Sequence, residues 1–105
     1  MDTKSYDISK ITQLVNLNKD FTNFSVVFKV MSQVQKTFFV AVASQEMLDS
    51  GEPLEFKEVV DGVLEGDVTV DRNVYQNHYL VLKSQDPMTV DVSIALDKLP
   101  NVITP

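Results

Sequence analysis

The chain contains no cysteine. Disulfide frameworks, thiolate zinc sites and thiol nucleophiles are therefore excluded together. It has one histidine, His78, so neither a multi-histidine zinc site nor a facial triad can be built within one chain. Glycine is almost as scarce, at positions 51, 62 and 66 only. None of the three belongs to a phosphate-binding loop or a dinucleotide fingerprint. Basic charge is also thin. Arg72 is the one arginine, the lysines are scattered from Lys4 to Lys98, and the formal net charge is −6. Nucleic-acid binding needs clustered cations to displace phosphate counterions, so no nucleic-acid partner is expected. The same acidity argues against an anionic membrane surface. Long apolar runs are missing too. The longest, residues 38–43, falls far short of the roughly twenty residues that span a bilayer. Asp2 follows Met1 without a continuous apolar stretch behind it, so no secretory leader is expected. The expected location is the cytoplasm, or a virus particle if the chain is viral.

What remains is a chain of 105 residues, 44% of them hydrophobic. That length suits one domain, which buries roughly 65% of the surface its unfolded chain exposes. A core can form without covalent staples.

Hydrophobic periodicity divides the chain into three parts. In residues 1–23, Ile8, Ile11, Leu14 and Val15 recur at helical spacing, with Asp7 or Ser9 available as a cap. So short a helix is marginal alone and must dock on something; an extended arm is the competing reading. From Phe24 the period becomes two. Phe24, Val26, Phe28 and Val30 alternate with Ser25, Val27, Lys29 and Met31, as in a half-buried strand. Residues 32–36 are polar apart from Val34 and read as a turn. Residues 37–43 are apolar on both faces, which predicts a strand in the middle of a sheet, covered on both sides.

Ser44 is placed to cap one helical turn carrying Met47 and Leu48, with Gly51 as its left-handed stop. Residues 54–60 read as extended. Asp61-Gly62 then predicts a two-residue hairpin turn, and Gly66 a bulge or second turn. Residues 79–83 form the next strand, followed by a turn at Asp86-Pro87. Val90, Val92, Ile94 and Leu96 then alternate with Asp91, Ser93, Ala95 and Asp97. The run from Tyr79 through Asp86-Pro87 to Ile94 is similar to the closing hairpin of jelly-roll-like sandwiches. Short strands at regular spacing between turns predict an all-β, single-domain antiparallel β-sandwich, jelly-roll-like, with a short N-terminal helix or arm. Its divisions are an arm at 1–23, the sandwich at 24–98 and a tail at 99–105.

No catalytic constellation stands out. His78 shares a strand face with Leu80 and Leu82, and no nucleophile elbow accompanies it. Asp61, Glu65, Asp67 and Asp71 cluster near turns, but the spaced calcium loop is missing. Solvated turn acids that discourage edge pairing explain them better. No enzyme activity, cofactor or metal is expected. The expected function is a structural or interaction subunit that assembles with itself or a larger protein partner. Its contact residues would be Ile8, Ile11, Leu14, Val15, Val27, Met31, Val102 and Ile103, the apolar residues that the sheets do not obviously need. The alternative is a small-ligand or carbohydrate module using the polar loop residues Asp71, Asn73, Tyr75, Asn77 and His78.

Overall fold

The computed structural model of the protein describes residues 2–100. Eight strands and one helical turn follow one another: β1 (Asp2–Ile8), β2 (Gln13–Asn16), β3 (Phe24–Ser32), β4 (Phe38–Ser44), α1 (Gln45–Ser50), β5 (Lys57–Val59), β6 (Val63–Val70), β7 (His78–Lys83) and β8 (Met88–Lys98). They form two four-stranded antiparallel sheets, β1-β8-β3-β6 and β2-β7-β4-β5.

The pairing has a simple logic. β1 pairs with β8, β2 with β7, β3 with β6 and β4 with β5. The chain is thus one long antiparallel hairpin of four strands against four, with α1 near its tip. Successive strands of each arm enter opposite sheets, so the hairpin rolls up. The β3–β8 and β4–β7 ladders then seal it. This strand order is that of an eight-stranded jelly roll.

The alternation read in β3 is observed. Phe24, Val26, Phe28 and Val30 are buried and pack against Phe38, Val40, Leu80, Leu82, Val90 and Val92 between the sheets. β4 is interior to its sheet and covered on both sides over most of its length, as its composition predicts, although Val42 is 38% exposed. Phe38 and Val40 face the main core, whereas Ala41 and Ala43, with Val81, are capped by Met47, Leu48, Leu54 and Phe56. Ser44 caps α1 by accepting the Met47 N–H (3.3 Å), and Gly51 closes it at φ 71°.

Three local expectations are corrected. Residues 2–8 and 13–16 are strands, one in each sheet, so the predicted helix is not formed and the segment is no arm apart from the sandwich. Interstrand hydrogen bonds and burial of Ile8 and Val15 outweigh a helical stripe too short to hold itself. Second, Asp61-Gly62 does turn with positive φ at Gly62 (85°), but β5 and β6 lie in different sheets. The turn is a crossover. The same holds for Asp86-Pro87 between β7 and β8, which pair with β2 and β4, and with β1 and β3, respectively. A turn motif sets the direction of the chain, not the partner its strand finds.

Third, Gly66 is neither bulge nor turn. The β3–β6 register runs unbroken from Phe24↔Val70 to Met31↔Val63, placing Gly66 opposite Phe28. A Cβ on Gly66 would stand 2.5 Å from Phe28 Cζ and 3.1 Å from Cε1 and Cε2. Glycine is there so that the Phe28 ring can lie against the backbone. Gly66→Ala should therefore lower stability by about 1–3 kcal/mol through overpacking. Phe28→Leu in the same chain should recover part of that loss, as a double-mutant cycle in urea would read out.

Candidate functional site

The jelly roll gathers its connections at two ends. One end holds residues 9–12, 33–37, 60–62 and 84–87; the other holds 17–23, 45–50 and 71–77. The predicted contact residues are dispersed over this frame. Ile8 (2% exposed) and Val15 (4%) lie in the main core and are withdrawn as contact residues, because the sandwich itself consumes them. Ile11 stands out at the tip of 9–12, 81% exposed. Leu14 is half-exposed on the outer face of its sheet, beside Val81. Val27 and Met31 are half-exposed on the outer face of the other sheet. Val102 and Ile103 lie outside the described residues.

Topology assembles a different group around one of these. Met31 and Val63 are register partners on the outer face of the β3–β6 ladder, where directly opposed side chains touch. Ser32 N–H donates to the Gly62 carbonyl (2.8 Å), tying the two adjoining connections together. On those connections stand Val34 and Val60, the latter 68% exposed. Met31, Val34, Val60 and Val63 thus make an aliphatic corner. Of these, sequence reasoning named Met31 alone as a contact. The available signal was Val34, the one apolar residue of a polar turn, and Val60 at the end of the segment read as extended.

The surroundings of the corner are polar. Along the same outer face, Thr3 hydrogen-bonds Ser93 (2.8 Å), Ser5 donates to Asp91 (2.5 Å), Thr89 donates to Asp7 (2.8 Å), and Lys29 lies 3.6 Å from Glu65. The Ser5 hydroxyl, and after it the Gln33 amide, hold the Asp91 carboxyl below its usual range.

At the opposite end, the residues of the alternative ligand loop are brought together, but largely to serve one another. Asn18 and Asn23, both buried, clamp the loop. Asn18 donates to the Phe21 and Gln76 carbonyls (3.0 and 2.9 Å) and accepts the His78 N–H (2.9 Å). Asn23 donates to Asn73 Oδ1 (2.8 Å) and accepts the Asn73 N–H (3.0 Å). The single Tyr75 hydroxyl proton is shared between Asn77 Oδ1 (2.7 Å) and the Lys19 carbonyl (3.0 Å). His78 meets the Phe24 ring edge-on, with centroids 5.3 Å apart. Asp71 lines a recess between the sheets with Arg72, Val74 and His78. Among the described residues, no three His, Asp or Glu side chains converge as metal ligands would.

Among the same residues no helix is long and apolar enough to cross a membrane. The chain is similar to the uncharacterized protein 234R of Invertebrate iridescent virus 6, with 39% identity over 97 residues. The match covers 90% of this chain and 49% of that protein, so the chain spans about half the length of this relative. No protein-family model and no solved structure matches the chain.

Proposed function

We propose that the protein is a non-enzymatic structural or interaction subunit, and that it associates with copies of itself or with a larger protein assembly through the corner formed by Met31, Val34, Val60 and Val63. The observation that carries this reading is the contrast between that corner and the sheet edges. Each edge strand has a feature that discourages strand addition. β2 and β5 have four and three residues; β1 turns Asp2 and Lys4 toward the sandwich interior, and β6 carries Glu65 and Asp67 on its outer face. Association by edge pairing is disfavoured, while exposed aliphatic side chains stand where two connections meet. Apolar residues grouped this way on a polar surface suit a protein contact.

The likeness to a protein of an iridescent virus supports a minor or accessory component of a virus particle as the specific form of this role. Jelly rolls serve in capsids but also in lectins, so the fold adds only compatibility. The small-ligand reading of residues 71–78 is weaker, because that loop's polar groups are engaged in the end clamp.

Sedimentation of the full chain tests the proposal. The wild-type chain should self-associate at concentrations up to about 1 mM, and Met31→Lys with Val60→Asp should weaken association at least about tenfold without lowering the melting temperature. An unchanged association constant in that variant would remove the corner from the interface. A strictly monomeric wild type whose melting temperature rises with sugars would favour the ligand-binding alternative.

A further inference from the structure

We propose a second site, for an anionic amphiphile, in the groove between the sheets beside β1 and β2. β1 is seven residues long and β2 only four, so the second sheet stops short of the first. Beyond Asn16 the inner face of β1 and β8 is met by the connection after β2 instead of a strand. The result is a groove of about 590 Å³, within the usual range for small-molecule sites. Its floor is apolar: Leu17, Phe21, Val92, Ile94 and Leu96.

Its rim is cationic in a chain of net charge −6. Lys4 and Lys19 line the opening, against one carboxylate, Asp2. Lys98 stands over the Phe21 ring, 5.9 Å from its centroid. Lys4 projects from the inner face of β1, as Tyr6 and Ile8 do, where a strand on a closed sandwich would carry an apolar residue. Edge protection explains that one lysine. It does not explain Lys19, which has φ 50°, a left-handed conformation uncommon outside Gly, Asn and Asp. That backbone is held on both sides: Asn16 Oδ1 accepts the Lys19 N–H (2.6 Å) and Tyr75 donates to its carbonyl. A lysine kept where glycine would fit more easily, at the mouth of an apolar groove, fits a role for its charge. An unbranched acyl chain ending in a carboxylate matches both parts, with the chain on the floor and the carboxylate at Lys4 and Lys19.

Titration of the full chain with dodecanoate, below its micelle concentration, tests this by calorimetry and by amide shifts. One equivalent should bind saturably, moving the signals of Phe21, Ile94 and Leu96, and dodecanol should bind at least about fivefold more weakly. Lys4→Gln with Lys19→Gly should weaken dodecanoate binding at least about fivefold. Because Lys19→Gly relieves the backbone, its melting temperature should hold or rise, which separates lost binding from lost folding. No saturable binding up to about 1 mM, equal affinity for the alcohol, undiminished binding by the variant, or shifts confined to other regions would overturn the proposal.

Discussion

Removing residues 1–20 should abolish folding. Those residues supply one strand to each sheet, paired along seven positions with β8 and four with β7. They also place Ile8, Val15 and Leu17 in the core, each at most 4% exposed. At roughly 1.5–3 kcal/mol per buried side chain, the three together contribute about 5–9 kcal/mol, comparable with the whole stability of about 5–15 kcal/mol expected of a domain. The loss extends to what remains, because Val90, Val92, Leu80 and Leu82 would face water. With no disulfide to hold the remnant, it should give no cooperative thermal transition by circular dichroism. A sharp transition with native-like amide dispersion would show that the sandwich needs only six strands.

Asn18→Ala should be among the most destabilising single substitutions, at about 3–5 kcal/mol. Asn18 is fully buried and makes three hydrogen bonds, two as donor and one as acceptor. Truncation leaves the Phe21 carbonyl and the His78 N–H without that partner, at about 1–3 kcal/mol for each buried group left unsatisfied, while the Gln76 carbonyl keeps its contact with His78 Nδ1 (3.0 Å). The groups belong to two connections and the first residue of β7, so the loss is cooperative across that end of the sandwich. Urea denaturation should show a lower midpoint with an unchanged slope. A loss under about 1 kcal/mol would mean that the clamp is dispensable, and residues 71–78 would regain interest as a ligand loop.

These two expectations bear on how far the sequence could be read. Alternation in residues 24–31 and 89–96 identified the strands and their buried faces correctly, because a period of two leaves little choice when one face must be dry. Ser44 and Gly51 marked the helical turn, since capping and positive φ are local requirements. The candidate site was less legible. Met31 was visible as an outward apolar residue, but Val34 read as a turn residue and Val60 as the end of an extended segment, and only the β3–β6 pairing and the Ser32–Gly62 hydrogen bond brought their connections together. Ile8 and Val15 were misread for the converse reason: their spacing suited a helix, and the strands that bury them, β7 and β8, lie more than sixty residues away. Asn18 and Asn23 gave no signal, because a buried asparagine is recognised by its partners and not by its neighbours in sequence.

The sequence by itself determined the class of object: an acidic, cysteine-free domain of alternating strands, with no phosphate loop and a single histidine. Those properties follow from composition and from interactions among residues a few positions apart. Only the tertiary structure decided that residues 2–8 and 13–16 belong to the sheets, that Asp61-Gly62 and Asp86-Pro87 are crossovers, and that an aliphatic corner and an open groove exist. Strand partnership is a long-range choice, settled by which inner faces can be buried together, and no local motif encodes it.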